Sequence, residues 1–270
     1  HDVLDEDRFR LFFQVIENLG KQPGEASKIH GEVLLRIIDE EMKLIGPGSF
    51  IPSAERYNLM PMIDRWVVEN TLKLLSANLG TVINIMERCC INLSGQSLSD
   101  ERFMKFVIDQ IHDSRVPPHL LCFEITETAV IANLNTATSL IATLREMGCR
   151  FALDDFGVGL SSFGYLRNLS VDYLKLDGSF VKNMVNNKTD YEMVRAVNQI
   201  GHTMNIMTIA EFVEDEAILE AVRKLGVDYA QGYAIAKPVP MEVALFSASS
   251  ATAARGSATV TDLSAGSTVS

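Results

Sequence analysis

The chain is poor in basic side chains relative to acidic ones: 24 Lys and Arg stand against 35 Asp and Glu, for a formal net charge of −11. This balance argues against binding to nucleic acid or to an anionic membrane, because both favour a basic protein face. A long apolar run is missing as well, so we expect no membrane span. The acidic start, HDVLDEDRF, does not resemble a signal peptide. We therefore expect a cytoplasmic domain that makes no membrane contact itself.

Sulfur and nitrogen ligands in metal-binding patterns are also missing. The four cysteines lie in apolar runs without the spacing of a zinc site, and we interpret them as reduced, buried residues. They are Cys89, Cys90, Cys122 and Cys149. The five histidines avoid the predicted strand ends, and we interpret them as surface or helix residues. They are His1, His30, His112, His119 and His202. The motifs GxSxG, GxxxxGK[ST] and GxGxxG after a strand are absent, which argues against serine hydrolase, P-loop and dinucleotide-binding chemistry.

Eight apolar runs typical of strands alternate with stretches of helical periodicity. The runs begin at Arg10, Gly31, Arg88, Leu120, Arg150, Tyr173, Ile206 and Tyr229. This alternation predicts an α/β protein with a mostly parallel sheet, and eight repeats favour a modified TIM (β/α)₈ barrel. The connection over 17–30 is polar and Gly-rich without helical periodicity, so we expect the first strand to run antiparallel to the rest. We expect one domain at 1–246 and a disordered Ser-, Ala-, Thr- and Gly-rich tail at 247–270.

Each of the eight runs carries a polar residue near or after its middle. These residues are Gln14, Glu32, Asn92, Glu124, Asp154 with Asp155, Lys175, Glu211 and Gln231. In a parallel barrel, inward residues at the carboxyl ends of the strands form the active site. Carboxylates that lie so close together need compensating positive charge, of which Lys175 supplies one unit. Oxygen ligands suit Mg²⁺ or Mn²⁺, and two such cations would suit in-line attack on a phosphodiester.

Asp154 and Asp155 are neighbours, and side chains of neighbouring strand residues point to opposite faces. Both can reach one site if the chain leaves the extended conformation at the second aspartate. We therefore predict a turn that begins at Asp155 and is helped by Gly157 and Gly159.

These residues stand in motifs that resemble the EAL domain, the cyclic di-GMP phosphodiesterase module of bacterial signalling proteins. The motifs occur in family order and span nearly the whole chain before the tail. They are EVLLR (32–36), FIPSAE (50–55), INLS (91–94), FEITE (123–127), DDFGVGLSS (154–162), YLKLD (173–177), AEFVE (210–214) and AQGY (230–233). Phe212 departs from the family pattern, in which glycine is common at this position.

The resemblance implies hydrolysis of one 3′–5′ bond of cyclic di-GMP to linear pGpG, with two Mg²⁺ or Mn²⁺ ions per active site. The implied metal ligands are Glu32, Asn92, Glu124, Asp154, Asp155 and Glu211, with Asp154 as the bridging ligand. The implied catalytic residues are Glu32, Lys175, Glu211, Glu127 and Gln231. Among these, Lys175 would orient or activate the bridging water, and Glu127 would hold the glycine-rich loop. The implied substrate-binding residues are Gln14, Leu34, Arg36, Asp64, Asp177 and Glu214.

The resemblance further implies a homodimer and, in the full-length protein, a link to sensor or GGDEF domains. One alternative is a catalytically weak or inactive EAL domain that serves as a cyclic di-GMP receptor. Such domains usually lack the EAL glutamate, the aspartate pair or the lysine, all of which stand in this sequence. A second alternative, an unrelated Mg²⁺-dependent barrel enzyme of the enolase type, does not explain the order of the motifs.

Overall fold

The computed structural model describes residues 8–21, 28–157 and 164–247. Its strands are β1 (Phe9–Asn18), β2 (Ile29–Ile38), β3 (Leu44–Ile45), β4 (Met86–Leu93), β5 (Leu121–Thr126), β6 (Arg150–Phe156), β7 (Tyr173–Leu176), β8 (Met207–Ala210), β9 (Tyr229–Ala230) and β10 (Val239–Pro240). Its helices are α1 (Ile51–Arg56), α2 (Met60–Ala77), α3 (Leu79–Ile85), α4 (Gly95–Leu98), α5 (Glu101–Ser114), α6 (Glu127–Ala132), α7 (Leu134–Glu146), α8 (Gly178–Val181), α9 (Lys188–Thr203) and α10 (Glu216–Lys224). A further helical stretch covers 241–247. The predicted tail therefore lies outside the described residues except for Ser247.

Eight of the strands close into a barrel in the order β1-β2-β4-β5-β6-β7-β8-β9, with β9 pairing back to β1. Strand β1 runs antiparallel to both of its barrel neighbours, β2 and β9, whereas the other barrel pairs are parallel. The predicted barrel and its antiparallel first strand are confirmed. Strands β3 and β10 extend the sheet beside β2 and β1, and the sequence did not indicate either of them. Strand β9 is two residues long, shorter than the run that predicted it.

The barrel has two apolar layers, one between its strands and the helices and one inside it. The outer layer packs the amphipathic faces of the helices, such as Val67 and Leu72 of α2, against strand residues such as Phe123 and Leu174. The inner layer is small and consists of Ile16, Cys90, Cys122, Ala152, Tyr173, Ile209 and Tyr229. All four cysteines are free and buried, as expected. The inner layer fills the barrel below its polar end, so the barrel is a packed core and not a pore.

His30 corrects our interpretation of the histidines as surface or helix residues. It lies on β2 inside the barrel, with 2% of its surface exposed. Its ring centroid is 5.4 Å from that of Tyr173 and 5.2 Å from that of Tyr229, and its Nε2 lies 3.3 Å from Cys90 Sγ. Burial, aided by the positive charge of Arg88, lowers the pKa of His30 to about 3. The imidazole is therefore neutral at neutral pH and behaves as part of the core.

Helix ends follow the signals in the sequence. Gly148 and Gly226 lie just beyond α7 and α10 with φ of 106° and 73°, the left-handed conformation that glycine adopts without steric cost. Asp215 and Asn187 cap the starts of α10 and α9 by accepting backbone N–H bonds. Within the described ranges, no helix is both long and apolar enough to cross a bilayer.

Candidate active site and metal centre

The polar residues predicted from the eight runs meet at the carboxyl end of the parallel strands. Adjacent strands place them side by side, because Gln14 pairs with Glu32 and Asn92 pairs with Glu124 in the strand register. Five carboxylates, one lysine and three amides thus share the mouth of the barrel. The carboxylates are Glu32, Glu124, Asp154, Asp155 and Glu211.

Lys175 of β7 is the centre of this group, and only 1% of its surface is exposed. Its Nζ contacts four carboxylates, at 2.6 Å from Glu124 Oε2, 2.8 Å from Glu211 Oε1, 3.3 Å from Asp154 Oδ1 and 3.4 Å from Glu32 Oε2. Burial opposes the charge of the ammonium group. The attraction of Asp154, Glu124 and the other carboxylates outweighs this effect and holds the pKa of Lys175 well above its usual value. The lysine is therefore a fixed positive charge.

Glu32 of β2 is held by amide side chains as well as by Lys175. Asn92 Nδ2 donates to its Oε1 at 2.6 Å, and Gln231 Nε2 donates to its Oε2 at 2.7 Å. The same Gln231 nitrogen lies 3.3 Å from Gln14 Oε1, and Gln14 in turn donates to a backbone carbonyl at 2.9 Å. Burial favours protonation of Glu32, but Lys175 and the amide donors keep its pKa below the usual value. Glu32 is therefore anionic and fixed in orientation.

The neighbouring glutamates carry more negative charge than one lysine can balance. Burial raises the pKa of Glu124 well above its usual value, and its Oε1 has no hydrogen-bond partner within the described residues. Burial and the charge of Asp154 raise the pKa of Glu211 to about 8. Groups that resist ionisation in this way become good ligands once a cation supplies the missing positive charge.

The chain turns at the aspartate pair as predicted. Asp155 has φ of 52° and Gly157 has φ of 105°, and the β6–β7 register shifts between Leu153 and Phe156. The Asp155 N–H donates to Asp154 Oδ1 at 3.0 Å. Burial, Asp154 and Asp177 raise the pKa of Asp155 to about 6. Both carboxylates thereby reach the same mouth, while Gly159 lies outside the described residues.

The donor set fits a hard divalent cation. Single carboxylate oxygens of Asp154, Asp155 and Glu211 lie within 4.8 Å of one another. The unpartnered Glu124 oxygen is a further donor, buried in a position where water cannot easily satisfy it. All of these donors are oxygens, the ligand type that Mg²⁺ and Mn²⁺ prefer.

Glu127 supports the turn after the aspartate pair. It is the first residue of α6, directly after β5, and 4% of its surface is exposed. Its Oε2 accepts the Gly157 N–H at 3.1 Å, and its Oε1 accepts the Tyr165 hydroxyl at 2.7 Å. The resemblance implied that Glu127 holds the glycine-rich loop, which stays a prediction beyond Gly157 because 158–163 lie outside the described residues. The sequence gave no indication of Tyr165.

A cavity of about 350 Å³ opens beside Glu32 and Glu211. It is lined by four of the predicted substrate-binding residues, Gln14, Leu34, Arg36 and Glu214. Two aromatic side chains that were not predicted to bind substrate, Phe212 and Tyr233, line it too. Phe212 has φ of 50°, which agrees with the glycine common at this position in the family, and the residue is 48% exposed. The Lys182 ammonium lies 4.1 Å from the centre of that ring.

The other two predicted substrate-binding residues lie outside the lining of this cavity. Asp64 of α2 is buried, and its Oδ2 accepts bonds from Ser94 N at 2.8 Å and Ser97 Oγ at 2.6 Å. Asp177 caps α8 by accepting the Ser179 N–H at 2.8 Å. Both carboxylates thus have structural partners, and their contact with substrate stays a prediction.

Comparison with known proteins places these observations in a family. The family model described as the EAL domain matches residues 2–238. The cyclic di-GMP phosphodiesterase PdeB of Shewanella oneidensis is 40% identical over 241 residues, which cover 88% of this chain and 27% of the relative. The cyclic di-GMP phosphodiesterase PdeF of Escherichia coli is 37% identical over 239 residues, covering 88% of this chain and 31% of the relative. The chain thus spans about a third or less of these relatives.

A solved structure shares the fold over nearly its whole length. It is described as the PaMucR phosphodiesterase in complex with c-di-GMP, and it superposes with a TM-score of 0.81 at 28% sequence identity. The match covers 89% of this chain and 96% of that chain.

Proposed function

Because the chain belongs to the EAL domain family, we propose that it is a metal-dependent phosphodiesterase that hydrolyses cyclic di-GMP to linear pGpG. The observation that carries this proposal is the buried group of carboxylates around Lys175, with the Asp154–Asp155 turn beside it. Four carboxylates in contact with one lysine are costly for stability. Divalent cations bound to these carboxylates would offset that cost.

Two Mg²⁺ or Mn²⁺ ions are proposed to bind here. Asp154, Asp155 and Glu211 would hold one ion, and Glu32, Asn92 and Glu124 would hold the other together with Asp154. When bound, the cations would stabilise charge on the phosphate oxygens and lower the pKa of the attacking water.

The side chains of the chain itself would fix the geometry of this reaction. Lys175 keeps its proton and donates to Glu124 and Glu211, which limits the rotation of both carboxylates. Asn92 and Gln231 limit the rotation of Glu32 in the same way, because each donates to one of its two oxygens. Such orientation of the ligands by neighbouring donors is a large part of the affinity and activity of a metal site.

The cavity beside the metal centre would hold one half of the nucleotide. The planar guanidinium of Arg36 can pair with phosphate oxygens or with the acceptor edge of guanine. Glu214 can accept from the N–H groups of guanine, and the apolar surface of Leu34 can contact its ring. The volume of about 350 Å³ is within the range of small-molecule sites.

The test is a product assay with purified protein, cyclic di-GMP and Mg²⁺ or Mn²⁺. We expect pGpG to form, and Glu32→Gln to lower kcat at least about 100-fold because it removes a charged ligand. Glu220→Gln, an exposed change on α10, is the matched control and should keep full activity. Binding of the nucleotide without any pGpG in the wild type would contradict the enzyme and support the receptor.

A homodimer, a link to sensor or GGDEF domains and an EAL domain boundary at 246 belong to the same proposal. The resemblance supports the homodimer and the boundary, and the greater length of the curated relatives supports the link to further domains. Sedimentation of an active sample tests the dimer, which would be excluded if the active species were monomeric.

A further inference from the structure

The carboxylate of Glu127 joins two chain segments, each of which donates to one of its oxygens. One oxygen receives the backbone N–H of Gly157, two residues after Asp155, and the other receives the hydroxyl of Tyr165. The two bonds, 3.1 Å and 2.7 Å long, end on the two oxygens of one carboxylate. The three groups therefore form a continuous chain from the Tyr165 ring to the aspartate turn.

The aspartate turn needs such support because its backbone is not in a relaxed conformation. Asp155 lies at φ of 52°, in the left-handed region that a residue with a side chain adopts less readily than glycine. The hydrogen bond from the Gly157 N–H to Glu127 holds the backbone of the turn two residues after Asp155. A hydrogen bond weakens when its angle departs from linearity, so this bond depends on a fixed orientation of the Glu127 carboxylate.

We propose that Tyr165 is a positioning residue, whose hydroxyl fixes the Glu127 carboxylate and through it the turn that presents Asp155 to the metal centre. This inference rests on the proposed function, in which Asp155 is a metal ligand.

Two features of Tyr165 support this role over one in packing alone. Its ring is partly buried against the outer apolar layer, so the aromatic part already has its own contacts. Its hydroxyl extends beyond that layer to Glu127 at 2.7 Å. Burial and the neighbouring carboxylate raise the pKa of Tyr165, so the hydroxyl keeps its proton and remains a donor. Tyr165→Phe therefore removes the positioning contact and leaves the packing in place.

The first measurement is calorimetric titration of the metal-free protein with Mn²⁺, in the absence of nucleotide. We expect Tyr165→Phe to weaken Mn²⁺ binding about 10-fold, the lower end of the effect of residues that orient a metal ligand. Tyr191→Phe is the matched control, because Tyr191 is also partly buried against the outer layer. It should leave the affinity unchanged.

The second measurement is hydrogen exchange of the 155–157 amides in the metal-free protein. We expect faster exchange in Tyr165→Phe than in the wild type or in Tyr191→Phe, since the Gly157 N–H loses a fixed acceptor. Glu127→Gln combined with Tyr165→Phe should have less than the sum of the two single effects on Mn²⁺ affinity, because both act through one carboxylate.

In the activity assay, Tyr165→Phe should lower kcat at limiting Mn²⁺, and excess Mn²⁺ should restore it without a change in KM for the nucleotide. Unchanged Mn²⁺ affinity and unchanged exchange at 155–157 would overturn the role of Tyr165, as would additive effects with Glu127→Gln. A wild type that makes no pGpG would instead contradict the proposed function, while the exchange result would still decide the role of Tyr165.

Discussion

Replacing Lys175 with methionine removes a buried positive charge and nearly preserves the length of the side chain. At the distances to Glu124 and Glu211, each attraction is about 6 kcal/mol in an effective dielectric constant of about 20. Desolvation of the ammonium group and repulsion among the carboxylates offset most of this attractive energy. Breaking a buried ion pair by removing one partner costs about 3–5 kcal/mol, and we expect a loss of this size in the metal-free variant.

The loss of unfolding free energy in metal-free Lys175→Met should grow as the pH rises. A carboxyl group whose folded pKa lies above its unfolded value binds a proton in the native state that the unfolded state has released. Its contribution to stability is therefore complete below the unfolded pKa and is lost as pH rises toward the folded pKa. For Glu211 that window runs from its usual value to about 8, with a slope of about 1.4 kcal/mol per pH unit. Without Lys175 the folded pKa values rise further, so the decline continues to higher pH.

Urea denaturation of the metal-free protein at about pH 5 and about pH 8 checks this reasoning. Lys175→Met should resemble the wild type more closely at the lower pH, and Mn²⁺ should recover part of its stability at the higher pH. Lys105→Met, an exposed change on α5, is the control and should have little effect. A Lys175→Met variant as stable as the wild type at about pH 8, or a loss that does not depend on pH, would refute the electrostatic account.

Two further substitutions test the fold around the site. Unfolded His30 takes up a proton near its usual pKa, whereas the folded residue resists it down to about 3, so stability falls by about 2 kcal/mol between neutrality and about pH 5. His30→Leu should reduce this difference in urea denaturation, and an unchanged pH dependence would speak against a neutral buried imidazole. Gly178→Ala should lower the free energy of unfolding by about 1–3 kcal/mol and weaken nucleotide binding, because a Cβ there would lie 2.0 Å from the Phe212 ring. Adding Phe212→Gly should restore both properties in thermal unfolding and calorimetry, and no rescue would show that the ring is not the obstacle.

The sequence predicted the barrel well because its signals are local. Alternating periodicities and a polar 17–30 connection were enough for the strand order and the antiparallel β1. The two-residue strands β3 and β10 have no such signal, since they depend on pairing with residues far along the chain. Strand β9 ends at Ala230, and two residues later the chain packs closely at Gly232, where a Cβ would lie 2.1 Å from the Val213 carbonyl oxygen. No local pattern in the sequence indicates that approach.

The candidate site was predictable to the level of residue type and strand end. The burial of its polar side chains was not predictable, because burial depends on partners from other helices and strands. Asp64 lies against Ser94 and Ser97, which no spacing in the sequence places beside it. His30 stands two residues before Glu32 and so faces the same side of β2, but its distance from the predicted strand ends led to the wrong interpretation. Tyr165 was missed because its role requires Glu127 and Gly157 together.

The inner layer of cysteine, tyrosine and aliphatic side chains limits how small molecules and ions can enter the barrel. Its members are at most 5% exposed, so among the described residues this layer closes the barrel beneath the carboxylates. In the proposed enzyme, cations and nucleotide would share the opening at the carboxyl ends of the strands. The cations would therefore bind before the nucleotide, which would then cover that opening. The buried inner layer would thus set the order in which the cations and the nucleotide bind.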